Sequence, residues 1–242
     1  MGDRERADRF LTATADLHNV LKKRRKGIAE HTTGLGAAVR ELADAGDNQI
    51  RTLRPQLARV IELRNAIAHD GYLDGEPIAA PRESFVRATE KLLDLLANPP
   101  KAFAFGVVPT VFQQDAPLQT ALEAMVASDL SQAPVLAGDH FRGLLTTNAV
   151  ARWVAAHMDP SGGVLVTDAT VFDVLPHVEA FEKARFATPG TSAAQVVGWM
   201  TSTEPPAAVL FTASGNEHEP IQRILVAADA PRLQAAVHVS MR

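Results

Sequence analysis

The 242-residue chain contains no cysteine. Disulfides, thiolate metal sites and cysteine nucleophiles are therefore excluded. No apolar run approaches the roughly 20 residues that span a bilayer. The first ten residues, MGDRERADRF, lack the apolar stretch of a secretory signal. What is present, 46% hydrophobic and 21% charged residues, fits a soluble globular protein with room for one large domain or two ordinary ones. The expectation is a cytoplasmic protein that acts as synthesised, with no membrane association and no metal site.

Charge is unevenly spread. Residues 1–98 carry 16 basic and 15 acidic residues, including the run Lys22-Lys23-Arg24-Arg25-Lys26. Residues 99–242 carry 8 basic and 13 acidic residues. Two regions with different surface physics predict two domains, 1–98 and 99–242.

The first region has helical periodicity throughout. Phe10, Thr14, Leu17 and Leu21 recur at three- and four-residue spacing. A second helix runs from Leu35 through Val39 and Leu42 to Ala43 and stops at the turn cluster Ala-Gly-Asp-Asn. Pro55 is placed near the first turn of a third helix, which continues through Leu57, Val60 and Ile61 towards Ala68, with Gly71 as its stop. Residues 71–83 form a loop. A last helix carries Phe85, Val86, Leu92, Leu93, Leu95 and Leu96 and ends at Asn98-Pro99-Pro100. Such helices pack as an antiparallel bundle.

The second region changes period. Short apolar runs (Val107-Val108, Pro134-Val135-Leu136, Gly143-Leu144-Leu145) alternate with helical stretches around Leu118–Met125 and Val150–Val154. The order returns in Ala193–Met200, Ala208–Phe211 and Ile224–Val226. Two copies of a β-α-β-β-α unit, about 80 residues apart, account for the pattern, so the fold class is α + α/β. Residues 159–180 begin as a Gly-rich turn and fit neither copy.

Within the third helix, Arg64 stands where the stripe Leu57, Val60/Ile61, Ile67/Ala68 asks for an aliphatic side chain. A guanidinium there is costly unless paired or facing a cleft. Asn65 and His69, four residues apart, share one side of the helix with Arg64 flanking them. The competing reading is an ion pair of Arg64 with Glu62 or Asp70 and a helix-capping His69. The motif Arg64-Asn65-x3-His69 resembles the Arg-x4-His motif of HEPN domains, many of which are metal-independent endoribonucleases. The resemblance covers roughly residues 5–98, with specific residues only around 55–70. It implies a homodimer in which two copies of the motif face one cleft. In that chemistry the 2′-hydroxyl attacks the neighbouring phosphate, His69 moves the proton and Arg64 holds the phosphate. Asn65 orients the imidazole or the phosphate, and Lys22, Lys23, Arg24, Arg25 and Lys26 supply salt-sensitive RNA backbone contacts.

Residues 107–157 resemble a CBS module, carried by Asp115-Ala116-Pro117-Leu118, Leu130–Leu136 and Gly143-Leu144-Leu145-Thr146. A second, weaker copy spans about 182–237, with Thr188-Pro189-Gly190-Thr191 and Arg223–Asp229. Paired modules of this family imply a compact disc whose clefts take adenine nucleotides such as AMP or ATP. The family signature is Gly-apolar-apolar-Thr/Ser-x-x-Asp. The first copy keeps Gly143 and Thr146 but has Ala149 in place of the Asp; the second keeps Asp229 but has Arg223 and Val226 in place of the Gly and the Thr. The expected site uses Asp229 for ribose and Ala208-Val209-Leu210 for the base, with Ala133 and Thr146 from the first copy.

The resulting expectation is a nucleotide-regulated endoribonuclease that needs no cofactor for catalysis. Its alternative is a non-enzymatic adenine-nucleotide sensor whose helical domain dimerises or binds a regulatory protein. A toxin held by an antitoxin is a third, weaker reading.

Overall fold

The computed structural model describes residues 2–24, 34–69, 72–73, 76–77, 80–160, 162–164 and 166–241, with the side chains of residues 69, 72, 73, 76 and 77 outside the description. The chain divides into two compact units: Met1–Pro100 with Ser192–Gln195 and Leu233–Arg242, and Lys101–Thr191 with Val196–Arg232.

The first unit is built on α1 (Asp3–Arg24), α2 (Leu35–Asp44), α3 (Asn48–His69) and α4 (Glu83–Ala97), with a short antiparallel pair, β1 (Tyr72–Leu73) and β2 (Glu76–Pro77), between the last two. The apolar stripes read from the sequence meet in one core: Phe10, Leu17 and Leu21 of α1, Leu42 of α2, Ile50, Leu53 and Leu57 of α3, and Leu92 and Leu96 of α4. Val239 and Met241 are buried in the same core, so the last residues of the chain count with this unit and not with the second half. Gly46 ends α2 at φ +93°, a conformation open to glycine, while the Asp47 N–H reaches back to the Leu42 carbonyl at 3.0 Å.

The third helix begins earlier than its proline suggests. Asp47 caps it, accepting from the Gln49 and Ile50 N–H groups at 3.0 and 3.1 Å. Pro55 therefore lies inside α3. The cap and the buried Ile50 and Leu53 extend the apolar stripe N-terminally, outweighing the proline's local cost. Gly71, the expected stop, lies outside the described residues.

Residues 112–237, most of which belong to the second unit, contain two copies of one arrangement. In the first, β3 (Phe112–Gln113), α5 (Leu118–Ala127), β4 (Gln132–Ala137), β5 (His140–Thr146) and α6 (Thr147–Ala156) follow in order; β4 is central, parallel to β3 and antiparallel to β5. A short helix, α7 (Val171–Val174), comes next. In the second copy, β6 (Ala184–Ala187), α8 (Ala193–Met200), β7 (Ala208–Phe211), β8 (Arg223–Val226) and α9 (Ala230–Val237) repeat it, with β7 parallel to β6 and antiparallel to β8. Both copies are therefore β-α-β-β-α.

Two details differ from the sequence reading. Val107-Val108 is not the leading strand of the first module; that strand is β3, and Val107 instead forms an antiparallel bridge with Ile224 of β8. The segment before β3 has thus paired with the other module. Residues 166–178, unplaced by sequence, fold back on the first module: Leu118 N–H donates to Ala169, and Val171 and Phe172 N–H groups donate to Ala116 and Gln114. Val171 and Val174 are buried in that module's core.

The modules share a small core of their own. Leu144 packs with Ala208, Leu210 and Ile224, and Phe141 meets Phe186 edge-on at 5.2 Å between ring centres. Gln132 donates its amide to the Ala207 carbonyl. Among the described residues, no helix is long and apolar enough to cross a membrane.

Candidate functional site

Positions 146, 149 and 152 of the first module correspond to 226, 229 and 232 of the second, in each case at the passage from the third strand into the following helix. Thr146 is buried and caps α6, its hydroxyl accepting from the Ala149 N–H at 3.0 Å and donating to Glu182 Oε1 at 2.7 Å. The Glu182 carboxylate, 4% exposed, also pairs with the Arg152 guanidinium and accepts from the Glu179 N–H at 2.9 Å. Arg152 further donates to the His177 carbonyl at 2.8 Å, and its Nη1 lies 3.5 Å from the Glu179 carboxylate. Burial pushes the Glu182 carboxyl up, but the Glu179 N–H, the Thr146 hydroxyl and the Arg152 charge together hold it below the ordinary carboxylate range.

The Thr146 hydroxyl, expected at a ligand, is thus engaged as donor and as acceptor by neighbours within the chain. Ala149, in the place of the signature Asp, is part of the apolar core.

In the second module Asp229 accepts from the Val226 N–H at 2.9 Å and pairs with Arg232. Arg232 is more than half exposed and also donates to the Phe105 carbonyl at 3.3 Å. At the other end of β8 from Val226, the Arg223 guanidinium lies over the Phe103 ring at 5.5 Å. Two guanidiniums thus touch the segment 103–105, Arg223 at the Phe103 ring and Arg232 at the Phe105 carbonyl, and Arg232 also pairs with Asp229. Val209 and Leu210, assigned to a base, are fully buried on the central strand of their sheet, paired on both edges. Ala133 is likewise buried on the central strand β4. The side chains of all three are thus part of the packed interior.

In the first unit, Arg64 is half-buried on α3 and donates to Asn65 Oδ1 at 3.2 Å; Asn65 is exposed. The stripe of α3 is carried past this point by Leu63 and Ile67, which pack on the core, leaving Arg64 at the stripe's margin. The His69 side chain lies outside the described residues, as do Arg25 and Lys26. Lys22 and Lys23 are exposed. Arg24 is engaged internally, donating to Gln49 Oε1 at 2.9 Å and to the Leu96 carbonyl, with Asp47 3.4 Å away. It ties the ends of α1, α3 and α4 together rather than standing free for RNA. Among the described residues, no three metal-ligating side chains cluster.

Sequence reasoning missed Arg152 and Glu182. The first was legible as one of two arginines recurring at the same offset; the second, just ahead of β6, belongs to no motif.

Residues 112–237 thus form a pair of β-α-β-β-α modules closed on a shared core. No family model matches the chain, and no curated protein matches it. Among solved structures it is similar to a CBS domain-containing protein of unknown function from Kribbella flavida, at 16% identity over 56% of this chain and 99% of that one, with a TM-score of 0.44. It is also similar to CBSX2 in complex with AMP, at 11% identity over 57% and 98% of the two chains and a TM-score of 0.43. A third is a CBS domain pair in complex with 5′-methylthioadenosine and S-adenosyl-L-methionine, at 11% identity over 58% and 99%, TM-score 0.44.

Proposed function

We propose that this chain is a regulatory adenine-nucleotide sensor: a CBS-like pair that takes one ligand beside Asp229, joined to a helical domain that dimerises or engages a regulatory protein. The observation that carries this reading is the Asp229 edge, where a carboxylate at a helix start accepts the Val226 N–H and pairs with the part-exposed Arg232 guanidinium. Asp229 is suited to ribose hydroxyls, and Arg232 and Arg223 to phosphate oxygens. The ligand is of the class named for two of the similar structures, AMP in one and two adenosine thioethers in the other. The helical domain is an antiparallel bundle in this reading, and the dimer it forms transmits ligand occupancy.

Calorimetry of the full chain with AMP, ATP and S-adenosylmethionine tests it. Binding of one of them with a stoichiometry of one per chain, weakened about tenfold or more in Asp229→Ala, is the expected result. Absence of binding by all three overturns it.

The ribonuclease reading keeps one favouring observation, the Arg64–Asn65 hydrogen bond on the solvent side of α3. Cleavage of total RNA in chelator by the wild-type chain and not by His69→Ala supports it, and equal behaviour of the two proteins overturns it.

A further inference from the structure

Glu182 is held as a bound anion would be. Its carboxylate receives a backbone N–H, a hydroxyl and a guanidinium, from Glu179, Thr146 and Arg152, and is almost wholly removed from solvent. The donors come from two stretches of chain, the α6 segment with its cap and the turn at Glu179, and two of them have further anchors: Thr146 through its cap on α6 and Arg152 through the His177 carbonyl. Removal of the Glu182 side chain beyond Cβ would leave these donors around an empty pocket of carboxylate size. Among the described residues, the other acid paired with Arg152 is Glu179, whose carboxylate is nearly half exposed and 3.5 Å from Nη1.

We propose that Thr146, Arg152 and the Glu179 N–H form an oxyanion-binding site that the chain fills from within by Glu182, so that in the wild-type protein the site is closed to external anions. The pseudo-equivalent position in the second module has no such insertion: Val226 has no hydroxyl to offer, and Arg232 lies on the surface. The asymmetry is independent of whether any nucleotide binds at Asp229, and its test uses none.

The experiment is chemical rescue in the full chain. Thermal unfolding of wild type and Glu182→Ala is compared in sodium formate and in sodium chloride of equal ionic strength. At formate about ten times its Kd, Glu182→Ala gains about 3–6 °C in Tm over chloride, while wild type gains none. Adding Thr146→Val to Glu182→Ala removes the gain. If Glu182→Ala unfolds in chloride, recovery of its fold in formate supports the site equally. No formate-specific gain in Glu182→Ala, an equal gain in wild type, or a gain that survives Thr146→Val overturns the proposal.

Discussion

Arg152 and Arg232 hold the same place in the repeated unit, yet Arg152 closes on a buried glutamate while Arg232 pairs with Asp229 at the surface. One repeat therefore uses its arginine to seal the passage from strand to helix, and the other leaves it exposed. The same residue type at the same offset is sealed inside one module and stands more than half exposed in the other.

The difference is measurable as stability. Arg152→Met strands a buried carboxylate and is expected to cost about 3–5 kcal/mol. Arg232→Met removes a guanidinium that is itself more than half exposed, from a carboxylate that keeps the Val226 N–H, and is expected to cost about 1 kcal/mol. Urea denaturation of the two variants, with unchanged m-values, reads the contrast directly.

The Glu182 pair also has a pH signature. Its carboxyl lies below its ordinary value in the folded chain, so its stabilising contribution is complete above the unfolded carboxylate pKa and is lost as pH falls through the folded value. The stability gap between wild type and Glu182→Gln is therefore expected to be constant near neutrality and to narrow below about pH 4. A gap that widens on acidification contradicts this.

Arg24 belongs to the helical unit's scaffold. Arg24→Met leaves the Leu96 carbonyl and Gln49 without their donor and is expected to lower stability by about 1–3 kcal/mol. Lys22→Ala and Lys23→Ala, at exposed positions, change it by less than about 0.5 kcal/mol. Equal effects from all three would mean that the basic run acts as one surface.

Leu144 contributes to the core that the two modules share. Leu144→Ala is expected to cost about 2–5 kcal/mol and to loosen both modules together. Hydrogen exchange that rises at β5 and β8 alike is the result to look for; a rise confined to the first module would argue for separate cores.

The elements of the fold were legible where apolar spacing was regular. Phe10–Leu21 and the repeated Ala208–Phe211 and Ile224–Val226 runs declare their period because one face or both faces are buried. Pro55 misled because helix propensity is a local term, whereas the Asp47 cap and the Ile50 and Leu53 burial that extend α3 are tertiary gains. Val107 misled for a related reason: β-branched residues mark a strand but not its partner, and the partner is in the other module. At the candidate site, Asp229 was visible from the signature, while Arg223 stood out only as a departure from it. Thr146 matched it too, but no spacing rule announces that a glutamate 36 residues later takes its hydroxyl. Long-range capture of this kind is written in the fold, not in any window of sequence.

The bridge between Val107 and Ile224 has a bearing on biosynthesis. A ribosome extrudes the first module's leading segment long before β8 exists, so that segment waits without its partner while the intervening chain emerges. Completion of the pair is then tied to translation of its final strand, and a chain truncated ahead of β8 would leave the Val107 N–H and carbonyl without the Ile224 groups that satisfy them.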